Sequence, residues 1–307
     1  MKKIPFLAII TAFLFTGCAD ATDLGNRAII QAAAIDYDDG YRVSALLFSS
    51  GGAGSDVIDA SQENVIKVVG TGKTLAEAVD NLSLVDGKKI YMSETKLLVL
   101  GDGFSEESVS DALNTLYYDL RCSLNMPVCC AENAEFLTDL QFTEGITSAE
   151  KPLSMIENAH ELGVSPKTTL LDLFADASAK RTSLIPMFKP SENGRGMTSA
   201  EDGETAVLSG CRVLENGFLT STFDQRQTVS LLLKGNKTDH IALNYVFRGE
   251  EKTCEAYAIK VLDEVDDFGH SWTVRAKFRS RTGGKIPDDE RETALQALVR
   301  AVRGVDY

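Results

Sequence analysis

The chain has 307 residues, which is enough for two domains at about 150 residues per domain. Hydrophobic residues make up 44% of it, sufficient to build buried cores. The 31 lysines and arginines are outnumbered by 45 aspartates and glutamates, so the formal net charge is −14. Because such an acidic chain presents no dominant basic surface to phosphates, its composition disfavours nucleic-acid binding.

The first 17 residues have the pattern of an export signal. A basic start, Met1–Lys3, precedes an apolar run from Ile4 to Phe15 that is shorter than the roughly 20 residues needed to span a bilayer. The run ends at Leu14–Cys18 (LFTGC), which is typical of a bacterial lipobox. The sequence therefore predicts a lipoprotein signal peptide over residues 1–17 and lipid attachment at Cys18. The alternative is a plain secretory signal with an incidental cysteine.

The predicted anchor has a physical consequence for localisation. A diacylglyceryl group on Cys18 supplies two acyl chains, and each buried CH₂ contributes about 0.8 kcal/mol to membrane binding. No later stretch of the sequence approaches 18 uninterrupted apolar residues. We therefore expect residues 18–23 to act as a tether and the protein to be anchored to the membrane without crossing it.

The first half of the chain predicts a mixture of strands and helices. A hairpin is expected where a strand over residues 28–35 is followed by a turn at 38–40 and an alternating strand over 41–48. Further strands are predicted over 65–69, 96–100 and 126–130. Helices are predicted over 74–84, from Ser105 to about Tyr117, over 134–140 and over 168–179.

The second half of the chain contains a predicted linker and is richer in predicted strands. Residues 189–204 are rich in Pro, Gly, Ser and acidic residues, which predicts a linker. Beyond them, strands are predicted over 205–214, 217–223, 229–234, 241–247, 254–262 and 271–279, and an amphipathic helix over 288–302. The predicted fold class is α+β: a mixed α/β N-terminal domain over residues 24–198, then a β-rich C-terminal domain over 199–307 with a terminal helix.

The segment Gly70–Thr74 (GTGKT) lies between a predicted strand and a predicted helix, where a phosphate-binding loop would lie. A Walker motif would need a glycine at the position of Lys67, and a dinucleotide fingerprint would need glycine or alanine at Leu75. We therefore interpret the segment as a tight turn, with Thr74 as helix N-cap and Glu77 completing a capping box.

No constellation of catalytic residues is visible. The three histidines, His160, His240 and His270, are far apart in sequence, and the acidic run over residues 263–267 lacks the calcium-loop pattern. That run is interpreted as a solvated turn, with weak cation binding as the alternative. We predict no catalytic residue, no cofactor and no metal site. Five cysteines follow Cys18 and are interpreted as buried small hydrophobes, with one disulfide left open: Cys122, Cys129, Cys130, Cys211 and Cys254.

A set of short segments, in a fixed order after the lipobox, resembles the Ger(x)C family of spore germination lipoproteins. None of the segments is specific by itself, and their order and spacing carry the resemblance. They are residues 24–28 (LGNRA), Ile35-Asp36, residues 70–78 (GTGKTLAEA), Lys89–Tyr91, residues 96–101 (KLLVLG), Tyr118–Arg121, Ser183–Pro186 and residues 211–220 (CRVLENGFLT).

The resemblance implies the C subunit of a nutrient germinant receptor. Such a subunit is a non-catalytic lipoprotein on the outer face of the spore's inner membrane, and it assembles with integral membrane subunits of the receptor. Only Cys18 is carried over as a functional residue, in the role of lipid attachment. The alternative function, from a different functional class, is that of a lipid-anchored solute-binding protein of a transport system.

Two departures from the family pattern stand out. Glu94 lies where the family often has histidine. Family members also usually run some tens of residues past a helix like that of residues 288–302. We therefore expect either a trimmed C-terminal domain or a truncated gene product.

Overall fold

The computed structural model describes residues 27–48, 65–139, 149–191, 197–198, 205–266 and 269–304. Within these ranges the chain forms two β-sheets with helices packed against them. The first sheet has eleven strands, which are β1 (Arg27–Tyr37), β2 (Tyr41–Phe48), β3 (Val65–Gly72), β4 (Lys89–Tyr91), β5 (Leu97–Leu100), β6 (Pro127–Ala131), β7 (Thr168–Thr169), β8 (Ser183–Ser191), β9 (Met197–Thr198), β10 (Thr205–Glu215) and β11 (Phe218–Asp224).

The main path of the first sheet runs β11-β10-β8-β6-β5-β1-β2-β3, while β4, β7 and β9 pair with β1, β6 and β10. Its centre is parallel, because β1, β5, β6 and β8 all run in the same direction. Its two flanks are antiparallel: β2 and β3 on one side, β10 and β11 on the other. Parallel strands need crossover connections, and helices supply them here.

Helices cover both faces of this sheet. On one face, α1 (Leu75–Asp86), α2 (Val109–Asn114) and α5 (Leu170–Ser178) pack on a core that includes Leu98 and Leu100. On the other face, α3 (Ala134–Asp139) and α4 (Glu150–Glu161) pack on a core that includes Leu97 and Val99. The side chains of β5 alternate between the two cores, so all four of its residues are buried.

The second sheet is smaller and antiparallel. Its strands are β12 (His240–Phe247), β13 (Glu250–Asp266) and β14 (Gly269–Ser280), in the spatial order β12-β13-β14. Helices α6 (Gln225–Lys234) and α7 (Asp288–Arg303) share its hydrophobic core. The Ser230 hydroxyl donates a 2.6 Å hydrogen bond to the carbonyl of Val302, which joins α6 to α7. A mixed α/β region followed by a β-rich region with a terminal helix is thus confirmed.

The predicted strand over residues 229–234 is wrong, because this segment belongs to helix α6. Asp224 accepts a hydrogen bond from the Gln227 backbone, and the Gln227 side chain accepts one from the Asp224 backbone, which forms a capping box. Val229, Leu232 and Leu233 recur at helical spacing and are buried. Such a short run of apolar residues is compatible with the periodicity of a helix and with that of a strand. Here the capping box at Asp224 favours the helix.

Four further segments differ from the predictions. Helix α4 was not predicted, and the predicted helix over 168–179 begins only at Leu170, after the two-residue strand β7. The predicted helix from Ser105 is instead a 3₁₀ turn over Asp102–Ser105, then α2, then a π-helical turn over Thr115–Asp119. The acidic run was predicted as a turn, but β13 continues through Asp266, because its register with β14 holds to the Asp266–Gly269 pair.

The predicted linker over 189–204 overlaps paired strands, because its first three residues belong to β8 and Met197–Thr198 forms β9. Residues 183–191 of β8 pair with residues 205–214 of β10, so the first sheet continues to Asp224 and the second begins at His240. The domain limits at residues 198 and 199 stay a prediction, because strand pairing does not say which segments fold independently.

Candidate functional site

The predicted lipid-attachment residue, Cys18, lies outside the described residues, which begin at Arg27. Attachment at Cys18 and cleavage after residue 17 therefore stay predictions. Among the residues that the structure describes, no helix combines the length and the apolarity needed to cross a membrane.

The five later cysteines are buried free thiols, as predicted. The adjacent residues Cys129 and Cys130 lie in the cores on opposite faces of the first sheet. Burial raises the pKa of the Cys122 and Cys130 thiols to about 12, and that of Cys254 to about 11. These thiols are therefore protonated near neutral pH, which suits a packing role and not nucleophilic chemistry.

The histidines take part in local hydrogen bonds. Nδ1 of His160 lies 3.2 Å from the carbonyl of Ser165, and Nε2 of His240 lies 2.6 Å from the carbonyl of Glu161. The side chain of His270 is outside the described set. Within the described ranges, no three His, Cys, Asp or Glu side chains are grouped so as to hold a metal ion.

Only Lys73 and Thr74 of the GTGKT segment form the turn between β3 and α1, because residues 70–72 pair with β2 as the end of β3. The Thr74 hydroxyl accepts a hydrogen bond from the backbone of Glu77 at 3.2 Å, which confirms it as the N-cap. The Glu77 carboxylate accepts a 2.8 Å hydrogen bond from the backbone of Lys73, one residue earlier than a standard capping box. A Cβ atom on Gly70 would lie 2.2 Å from a carbonyl oxygen of α1. The glycine is needed for close packing of β3 on α1.

Most segments of the family-like set come together around β1. Lys89–Tyr91 pairs with the start of β1, and residues 97–100 pair with its second half. Residues 70–72 lie at the end of β3, two strands away. On the far side of β6, Ser183–Pro186 pairs with residues 211–214 of β10. Seven of the eight segments therefore contribute residues to the first sheet, and Tyr118–Arg121 does not.

Asp36 connects β1 to the loop that follows β5. Its Oδ1 atom accepts 2.9 Å hydrogen bonds from the backbone of Tyr37 and of Gly103. A Cβ atom on Gly101 would lie 2.2 Å from the Asp36 carboxylate, and one on Gly103 would lie 1.9 Å from the carbonyl oxygen of Tyr37. Burial raises the pKa of Asp36, although its backbone hydrogen bonds oppose this effect. The pair Ile35-Asp36 and the glycine after Leu100 thus belong to one junction.

A buried arginine lies at the same end of the sheet. Arg212 on β10 is only 6% exposed, and its Nη1 atom donates to the carboxylate of Asp102, two residues after the end of β5. The Nε atom of Arg212 has no hydrogen-bond partner among the described residues. The ion pair ties the antiparallel flank of the sheet to its parallel centre.

A cavity of about 560 Å³ opens where β1 turns into β2. Its walls are the β1–β2 turn, the β3–α1 loop, and α2 with the π-helical turn. Tyr37, Tyr41 and Tyr118 line it together with Asp111 and Lys73. The sequence predictions missed this cavity, because its lining residues come from segments far apart in the chain and form no motif.

A family model described as the spore germination protein N-terminal domain matches residues 20–190, more than half of the chain. Among solved structures, one described as the crystal structure of the GerBC protein is 13% identical, with a TM-score of 0.48. The match covers 88% of this chain and 79% of that one. No curated protein sequence matches. The family expected from the short segments is therefore confirmed: the chain belongs to the family of spore germination proteins that share this N-terminal domain.

Proposed function

We propose that the chain is the C subunit of a nutrient germinant receptor. It is held on the outer face of the spore's inner membrane by a lipid on Cys18 and acts through contacts with integral membrane subunits. The observation that carries this proposal is the spore germination family match over residues 20–190. The lipobox-like segment Leu14–Cys18 supports the anchor.

The spacing between the anchor and the fold supports a role close to the membrane. The nine residue-to-residue steps from Cys18 to Arg27, the start of β1, span at most roughly 30 Å even when fully extended. A lipid on Cys18 thus keeps the start of β1 within roughly 30 Å of the bilayer. At that distance neighbouring parts of the fold can contact the extracytoplasmic parts of membrane subunits.

The anchor is tested by membrane fractionation of the full chain, expressed with its own leader, and of the Cys18→Ser variant. We expect the unchanged chain in the membrane fraction and the variant in the soluble extracytoplasmic fraction. A matched control replaces residues 1–17 by an export signal without a lipobox, and this chain should behave like Cys18→Ser. Membrane association of both altered chains would contradict lipid anchoring.

Assembly is tested by co-expression with the cognate membrane subunits and affinity purification in detergent. We expect these subunits to co-purify with the unchanged chain. The solute-binding alternative predicts co-purification with an importer instead. Absence of the receptor subunits from the purified material would contradict the proposed function.

A further inference from the structure

The cavity at the β1–β2 turn has a lining that favours positive charge. Three carboxylates, those of Glu107, Asp111 and Asp119, line it against the single ammonium group of Lys73. None of the three carboxylates forms an ion pair with another described residue. The lining therefore has an excess of two negative charges that the described part of the protein does not neutralise.

The hydroxyl of Tyr41 is a second and independent sign of a ligand site. Tyr41 is only 8% exposed, yet it lines the cavity. Its hydroxyl forms no hydrogen bond within the described ranges, and it is not one of their fully enclosed unpartnered polar atoms, so it faces the open space of the cavity. Burial, followed by the carboxylates of Asp111 and Glu107, raises the pKa of Tyr41. The hydroxyl thus remains neutral and available beside two carboxylates.

Three tyrosine side chains also line the cavity. The rings of Tyr37 and Tyr41 meet edge to face, with centroids 5.2 Å apart and planes 82° apart. Tyr118 supplies another ring from the opposite side and is 70% exposed. Faces of tyrosine rings attract ammonium and guanidinium groups, particularly where water is partly excluded.

The Tyr118 wall depends on an unusual piece of backbone. Residues 115–119 form a π-helical turn, closed by a 3.0 Å hydrogen bond from the Leu120 N–H to the Thr115 carbonyl. Such turns are uncommon and occur frequently at functional sites. This one brings Thr115, Tyr118 and Asp119 to the cavity together.

We infer that this cavity binds a cationic nitrogen group, an ammonium or a guanidinium. The carboxylates compensate its charge, the tyrosine rings contact it by cation–π interaction, and the Tyr41 hydroxyl accepts a hydrogen bond from its N–H where it has one. A volume of about 560 Å³ accommodates a small organic amine or the end of a lysine or arginine side chain. The same negative charge disfavours phosphates and nucleotides.

Calorimetric titration of the full chain in detergent tests the inference without reference to any partner. Choline and agmatine are the cationic probes, and 3,3-dimethylbutan-1-ol is the neutral counterpart of choline. We expect the cations to bind about tenfold more tightly than the alcohol. Asp111→Asn should remove most of this preference, and Tyr41→Phe should weaken the binding of agmatine, which has N–H donors, and not that of choline, which has none. Asp80→Asn, an exposed aspartate on α1 outside the cavity, should leave the preference unchanged.

Co-expression with the receptor subunits distinguishes the two sources of the cation. If the group is a side chain of a partner subunit, Asp111→Asn combined with Glu107→Gln lowers co-purification and the assembled complex no longer binds choline. If it is a free amine, co-purification is unchanged and the complex still binds choline. Either outcome supports the cationic site, and only this second experiment rests on the proposed function.

The inference is overturned if choline and the alcohol bind equally or not at all and the double variant co-purifies normally. It is also overturned if Asp111→Asn binds choline and agmatine as the unchanged chain does. If the unchanged chain fails to recruit the membrane subunits, the proposed function fails, and the titration of the isolated chain still decides the cationic site.

Discussion

Strand β5 of the first sheet is buried along its whole length, whereas strand β12 of the second sheet alternates between buried and more exposed residues. The difference follows from how many faces of each sheet are covered by helices. The parallel centre of the first sheet has helices on both faces, while α6 and α7 share the one hydrophobic core cluster of the second sheet's described residues. Substitutions on either face of β5 should therefore lower the free energy of unfolding. In the second sheet, only substitutions on the face toward the shared core should do so.

Replacing leucine by alanine in each sheet should give the largest contrast. Leu98 on β5 is fully buried, and we expect Leu98→Ala to lower the free energy of unfolding by about 2–5 kcal/mol. Leu262 on β13 is 45% exposed, and Leu262→Ala should cost less than about 1 kcal/mol. Urea unfolding followed by circular dichroism measures both. Equal costs would show that the second sheet is covered on both faces.

A glycine pair gives the next largest contrast. Gly103→Ala places a Cβ atom 1.9 Å from the carbonyl oxygen of Tyr37, so the junction at Asp36 must open. We expect a loss of about 1–3 kcal/mol in the same unfolding measurement. Gly284, after β14, has no atom within 4 Å of an added Cβ, so Gly284→Ala is the matched control, with an effect below about 0.5 kcal/mol. A tolerated Gly103→Ala would mean that the junction at Asp36 is not tightly packed.

Removal of a helix cap tests α6, which contains the segment that the sequence patterns predict as a strand. Asp224 caps α6, and Asp224→Ala should destabilise the protein by about 1 kcal/mol because the Gln227 backbone loses its partner. Thr222→Ala, at an exposed position on β11, is the control. Urea unfolding measures both variants, and an Asp224→Ala variant as stable as Thr222→Ala would contradict the cap assignment.

The smallest expected effect is a pH dependence at Asp36. Since burial raises its pKa, the folded state holds the proton more tightly than the unfolded state does. The contribution of Asp36 to stability therefore declines as the pH rises from the unfolded value of about 3.9 through the raised folded pKa. The amide introduced by Asp36→Asn cannot titrate, so the stability of this variant relative to the unchanged chain should increase over that range.

This pH dependence is measured by urea unfolding at several values from about pH 4 to about pH 7. Asp38→Asn, at an exposed turn position, controls for the loss of one negative charge. A difference between Asp36→Asn and the unchanged chain that stays constant with pH would contradict a buried, destabilised carboxylate.

Local patterns were sufficient for much of the first sheet. The alternation in Tyr41–Phe48, the capped turn at Thr74 and the apolar run ending at Leu100 each predict one element, and the structure contains all three. The π-helical turn and helix α4 were not predicted, because no local pattern distinguishes them from neighbouring alternatives. The segment 229–234 is predicted as a strand because its short apolar run is compatible with both strand and helix periodicity, and the run alone does not distinguish them.

The candidate site could be predicted only in part. Burial of the five thiols could be predicted from the residue type, since free cysteine behaves as a small hydrophobe and is among the most buried residues. The helix start at Thr74 follows from its cap. The cavity could not be predicted, since Tyr41, Asp111 and Tyr118 meet only when the sheet forms and the turn at residues 115–119 adopts its π-helical geometry. Long-range placement of this kind leaves no trace in local spacing.

The most direct measurement of the central claim is nutrient-triggered germination of spores from the host that encodes this chain. Spores lacking the chain are compared with spores complemented by the unchanged chain or by Cys18→Ser. We expect loss of the response without the chain, restoration by the unchanged chain, and no or weak restoration by Cys18→Ser. Spores that lack the chain, retain the membrane subunits and still germinate normally to every nutrient would contradict the claim that it is a working subunit of a germinant receptor.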